Sequence, residues 1–95
     1  MRPEKPVCQK EGFSTGKFVE GCIIIPNRGD EDAVILNETA GFIWRELEKP
    51  ATFDELVERL RAEYGVSVTE AEADLEELFD IIAPYIREAS VNDDK

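Results

Sequence analysis

The spacing of apolar and polar positions along this 95-residue chain changes period once, at Asn37. Before that residue the pattern is extended. Val7-Cys8-Gln9-Lys10 is a weak strand candidate, and Gly12, Gly16 and Gly21 punctuate the sequence around it. Residues 19–25 make a stronger strand, rich in isoleucine at 23, 24 and 25 and ended by Pro26. Alternation puts Ile23 and Ile25 on one face and Cys22 and Ile24 on the other. Asn27-Arg28-Gly29-Asp30 predicts a turn, and Asp32–Leu36 the returning strand of a hairpin. Residues 12–20 read as a lengthened loop.

Beyond Asn37 the apolar positions recur at helical spacing. Asn37 is suited to cap a helix whose apolar face is Phe42, Ile43, Trp44 and Leu47, and which stops before Pro50. Thr52-Phe53-Asp54-Glu55 is a capping box. It opens a second helix with Phe53, Leu56, Val57, Leu60 and Tyr64 on one face, ended by Gly65. Ser67-Val68-Thr69-Glu70 reads as another capping box. The third helix then carries Ala71, Leu75, Leu78, Ile82 and Ile86, with Pro84 kinking it or ending its regular part near Ala83. The order is α+β in a single domain: a short antiparallel sheet within residues 1–36, three helices over 37–88, and a polar tail over 89–95. The tight turn between the last two helices has helix-turn-helix spacing, as in a winged helix.

Charge decides against the common use of that topology. The net charge is −11, and residues 51–95 hold thirteen of the 22 acidic groups against four basic ones. The helix that would enter a DNA groove carries Glu70, Glu72, Asp74, Glu76, Glu77 and Asp80, which phosphates repel. A winged-helix transcription-factor-like protein is thus the weaker alternative, and no nucleic-acid partner is expected. Apolar runs reach only four residues, far below a bilayer span, so no membrane partner is expected and the cytoplasm is the expected location.

Catalytic constellations are equally sparse. There is no histidine, which removes the usual general base and the commonest metal ligand. Glu72 with Glu76, or Glu70 with Asp74, lie one helical turn apart but have no nucleophile or phosphate cradle nearby, so a solvated helix face is the simpler reading. Cys8 and Cys22 lack metal-binding spacing and read as buried or half-buried free thiols. The expectation is a non-enzyme with no catalytic residues, no metal and no cofactor.

What remains is the last strand. Natural sheet edges are usually blunted by charge or proline. Asp32 is followed by Ala33, Val34, Ile35 and Leu36, all uncharged and apolar, so a guest peptide could add a strand there. The third helix has apolar residues beyond a core stripe. Phe79, Ile81 and Tyr85 widen it, and Ile81 and Tyr85 beside Leu78 make a candidate groove wall. Asp74, Glu77 and Asp80 would rim it and favour peptides carrying Lys or Arg. The same edge could instead pair two copies of the chain, leaving monomer and homodimer both open.

The run Ala33-Val34-Ile35-Leu36-Asn37-Glu38-Thr39-Ala40, followed by Ile43-Trp44, resembles the core motif of the PqqD-like family. Thr52-Phe53-Asp54-Glu55-Leu56-Val57, Leu60, Tyr64-Gly65-Val66 and Ala73-Asp74-Leu75 with Leu78 continue that pattern in order, over about residues 32–83. The resemblance implies a three-stranded antiparallel sheet packed on three helices. It also implies a precursor-peptide recognition element, which binds the leader of a ribosomal precursor peptide as an added strand and presents it to a maturation enzyme, often of the radical S-adenosylmethionine (SAM) type. Carried over by position, the peptide-binding residues are Asp32, Ala33, Val34, Ile35 and Leu36 on the strand, and Asp74, Leu75, Leu78, Ile81, Ile82 and Tyr85 on the helical side.

Overall fold

The computed structural model describes residues 2–18, 21–27 and 32–89. The chain runs through β1 (Val7–Gln9), β2 (Phe13–Phe18), β3 (Gly21–Pro26) and β4 (Val34–Asn37), then α1 (Glu38–Glu46), α2 (Phe53–Tyr64) and α3 (Val68–Ile82). A 3-10 turn over Ala83–Tyr85 leads into β5 (Ile86–Glu88). β2, β3 and β4 form the three-stranded antiparallel sheet, in that order, and three helices follow it.

The sheet is built from different strands than the pattern suggests. The Val7 segment leaves the main sheet and pairs with β5, in register Val7↔Glu88 to Gln9↔Ile86. Its place is taken by β2, within the stretch read as a loop, which pairs with β3 from Phe13↔Pro26 to Phe18↔Gly21. The sequence hides β2 because Ser14 and Gly16 on its outward face give no apolar alternation. Thr15, exposed although paired with the buried Ile24, supplies the acceptor for a buried indole, with Trp44 Nε1 donating to Thr15 Oγ1 at 2.9 Å. Val19 and Glu20, the Arg28–Asp30 part of the expected turn, and the tail beyond Ala89 lie outside the described residues.

Ile86 is the second departure. Read as the last member of the α3 stripe, it sits in β5, because Pro84 cannot continue the helix. The closing strand then straps the N-terminal segment down: Ala89 N donates to Pro6 O and Lys10 N to Tyr85 O, at 2.8 and 2.9 Å. β1 is also tied to the helices, with Gln9 N donating to Leu47 O and Val7 N to Ala51 O, both at 2.9 Å.

The helix boundaries follow the capping chemistry. Asn37 has extended backbone and accepts from Ala40 N, and Thr52 and Glu55 form the reciprocal capping box of α2. Gly65 ends α2 in the left-handed region at φ +70°. At α3 only the serine half of the expected box forms: Ser67 accepts from Glu70 N, with no return bond from Glu70 among the described residues.

The core lies between the inward face of the sheet and the helices. Cys22, Ile24 and Leu36 from the strands meet Ile43, Trp44 and Leu47, and Leu56, Leu60, Leu75, Phe79 and Ile82 complete it. The outward face carries Ile23, Ile25 and Ile35, as alternation requires.

Candidate functional site

Among the described residues the chemistry-bearing side chains do not converge. Glu72 and Glu76, the first carboxylate pair considered, are both taken by Arg2. Its Nε donates to Glu76 Oε2 at 3.0 Å, its Nη2 lies 3.6 Å from Glu72 Oε1, and its guanidinium stacks 4.6 Å from the Phe53 ring centroid. These carboxylates tie the N-terminal segment to α3. Cys8 and Cys22 are free and buried, and burial pushes the Cys22 thiol up, against a smaller opposing pull from Arg45. Among the described residues no group of three His, Cys, Asp or Glu is placed to hold a metal ion, and no helix is long and apolar enough to cross a membrane.

The sheet edge is the feature that stands out. β4 pairs with β3 on one side, in register Gly21↔Asn37 to Ile24↔Val34, and has no strand on its other side among the described residues. Which of its groups are vacant follows from Gly21, where a Cβ would meet the Leu36 carbonyl oxygen at 1.9 Å. That oxygen therefore points toward β3. In an antiparallel pair the N–H and C=O of one residue point the same way, and successive residues alternate. Leu36 and Val34 thus bond inward to β3, and Ile35 turns its N–H and C=O to the open margin.

Depressions open at both ends of that margin, each with its far wall made by α3 or by the turn that continues it. The first, about 300 Å³, lies where β4 hands over to α1. It is lined by Asn37, Thr39, Ala40 and Ile43, by Leu60 of α2, and by Asp74, Leu75, Glu77, Leu78 and Ile81 of α3. The second, about 800 Å³, lies at the start of β4 and is lined by Lys10, Glu11, Phe13, Asp32, Val34, Pro84 and Tyr85. There the Phe13 and Tyr85 rings pack edge to face with centroids 4.9 Å apart. The two depressions, one against α3 and one against the turn that follows it, together make the candidate groove along the β4 margin.

Most residues expected at a site fall along this groove. Asp74, Leu75, Leu78 and Ile81 line the first depression, and Asp32, Val34 and Tyr85 the second. Ile81 is 50% exposed beside the first depression. Ala33 is exposed just before β4. The other three are placed elsewhere: Leu36 is a core residue, Ile82 is fully buried and lines neither depression, and the Ile35 side chain stands on the outward sheet face, 71% exposed. Ile35 reaches the margin through its backbone alone.

The sequence reading missed Ala40 and Ile43 of α1 and Phe13 of β2. Ala40 and Ile43 are one turn apart in a helix starting directly at the end of β4, so the first turn of α1 had to lie beside that strand end. That signal was available. Phe13 carried none once β2 was read as a loop.

A family model described as "Coenzyme PQQ synthesis protein D (PqqD)" matches residues 22–83. Comparison with curated proteins gives no match. Among solved structures, TbiB1 in complex with the TbiA(beta) leader peptide superposes with a TM-score of 0.73 at 18% sequence identity, over 87% of this chain and 98% of that one. At that identity the likeness is one of fold.

Proposed function

The chain belongs to the PqqD family, and from that premise we propose that it is a non-catalytic peptide-binding adaptor. It captures the leader of a ribosomal precursor peptide by strand addition at β4 and presents it to a modifying enzyme of the radical SAM type. The observation that carries this reading is the β4 margin, vacant among the described residues, with a depression at each end of it. TbiB1, which shares the fold, holds a leader peptide, and this supports the same use here.

Magnitudes show why the margin and the groove are both needed. The outward-facing positions of the strand segment, Ala33 and Ile35, offer up to two donors and two acceptors. At a net ~1 kcal/mol each, that ladder contributes roughly 4 kcal/mol. A micromolar complex needs about 8 kcal/mol, before the cost of ordering the peptide. Burying an aliphatic or aromatic side chain contributes about 1.5–3 kcal/mol, so one guest side chain in each depression closes most of the gap. Backbone bonds set the register and the depressions select the sequence.

The test is affinity capture from the native cell with the full chain as bait, followed by mass spectrometry of co-purifying peptides under about ten kilodaltons. The expected result is a ribosomal peptide that binds the purified chain and is recovered from it at unchanged mass. A mass change produced by the chain alone would refute the non-catalytic role, and recovery of no peptide would refute the adaptor.

A further inference from the structure

Resting on that reading of the groove, we propose that its guest is a basic, amphipathic strand. Two apolar side chains sit about four residues apart on its groove-facing side, and a Lys or Arg lies beside the one that enters the depression at α1. Four of the six carboxylates of α3 fall into two pairs, while Glu70 and Asp80, the latter expected on the rim, line neither depression. Glu72 and Glu76 share the single positive charge of Arg2. Asp74 and Glu77, one turn apart on the groove side, are exposed, line the first depression, and make no ion pair or hydrogen bond among the described residues.

The same depression is floored by Ile43, Leu75 and Leu78, which are nearly buried, and flanked by the half-exposed Ile81. A groove-facing aliphatic side chain fits that surface, and an ammonium or guanidinium on a neighbouring residue reaches the rim while its stem covers Ile81. The positive end of α1 does not offset this. Asn37 Oδ1 already accepts from Ala40 N at 2.9 Å, and Glu38 stands in the first turn. At the other end of the groove Lys10 is accompanied by Glu11 and Asp32, so the uncompensated negative charge concentrates at the α1 end.

The spacing follows from the strand. Val34 lines one depression and Asn37 the other, three strand steps or roughly 10 Å apart. Guest side chains on one face recur every second residue, so the nearest same-face pair spanning both depressions is separated by four positions.

The experiment is selection of phage-displayed random dodecapeptides on the full chain, in parallel with its Asp74→Asn/Glu77→Gln and Ile35→Pro variants. The expected result is enrichment of sequences with two apolar residues four apart and a Lys or Arg beside one of them. A synthetic winner should bind the Asp74→Asn/Glu77→Gln variant about fivefold more weakly, as for two exposed ion pairs, and that difference should vanish in 1 M salt. Winners that need an intact Ile35 backbone but show no basic bias would overturn this inference and leave strand addition standing. Winners indifferent to Ile35→Pro, or no winners at all, would overturn both.

Discussion

Replacing Ile35 by proline is expected to reduce peptide binding at least tenfold while leaving the chain folded. Ile35 turns its N–H to the open margin, so losing it takes nothing from the β3–β4 ladder. Proline is tolerated in strands at such edge positions. The guest, in contrast, loses a hydrogen bond worth about 1 kcal/mol and meets the pyrrolidine ring where its carbonyl must approach. Ile35→Ala is the matched control. It keeps the N–H and removes a side chain that is 71% exposed on the far face of the sheet, so binding should stay within about twofold. Calorimetric titration gives both affinities, and far-UV circular dichroism with a melting curve establishes that each variant is folded. Retained affinity in a folded Ile35→Pro chain would contradict strand addition.

Gly21→Ala is the substitution with the largest expected effect on stability. Gly21 has φ +155°, and a Cβ there would lie 1.9 Å from the Leu36 carbonyl oxygen and 2.9 Å from the carbonyl carbons of Leu36 and Asn37. All three are backbone atoms at the junction of β4 and α1, so no side chain can swing aside. Either β4 separates from β3 at its last pair, or Gly21 takes another conformation. The cost is about 3 kcal/mol or more, a large share of the total stability of a domain this size. The melting temperature should fall by roughly 12–24 °C. Gly12→Ala isolates the conformational part. Its φ is +100° but no described residue lies within 4 Å of its Cβ position, so it should cost about 1–2 kcal/mol. Urea denaturation of the pair checks the ranking, and equal losses would mean that the close approach of β4 to Gly21 is not tight in solution.

Both variants act on β4, and that strand was among the most legible parts of the chain. An uncharged apolar run ending in a capping asparagine has few alternatives, and the structure places β4 at Val34–Asn37 with Asn37 as the cap of α1. α2 was legible for the same kind of reason, since its capping box and Gly65 are local chemistry that survives any tertiary arrangement. β2 was not, because Ser14, Thr15 and Gly16 give no apolar alternation, and Thr15 meets the Trp44 indole, 29 positions away in sequence, only through the fold. β5 was not, because Ile86 fits the α3 stripe as well as a strand, and only its pairing with β1 decides between them.

The groove shows the same division. A wide apolar stripe on α3 announces a surplus of apolar side chains, but periodicity cannot say which of them face a gap. Leu75 and Ile82 are seven positions apart and nearly superposed on a helical projection, yet Leu75 lines the first depression and Ile82 is enclosed by core. Ile43 and Leu60, which close that depression, come from two other helices. Their meeting there is a property of the packing. Likewise the sign of the groove's charge was legible from composition, whereas the pairing of Glu72 and Glu76 with Arg2 required the fold.

Hydrogen exchange of individual β4 amides, measured by NMR with and without the captured peptide, tests the central claim most directly. An added strand predicts an alternating response. The Ile35 amide, open to solvent in the free chain, should become strongly protected at saturation, while those of Val34 and Leu36, already bonded to β3, change little. An Ile35 amide that exchanges equally fast in the saturated complex, or is already protected before any peptide is added, would contradict it.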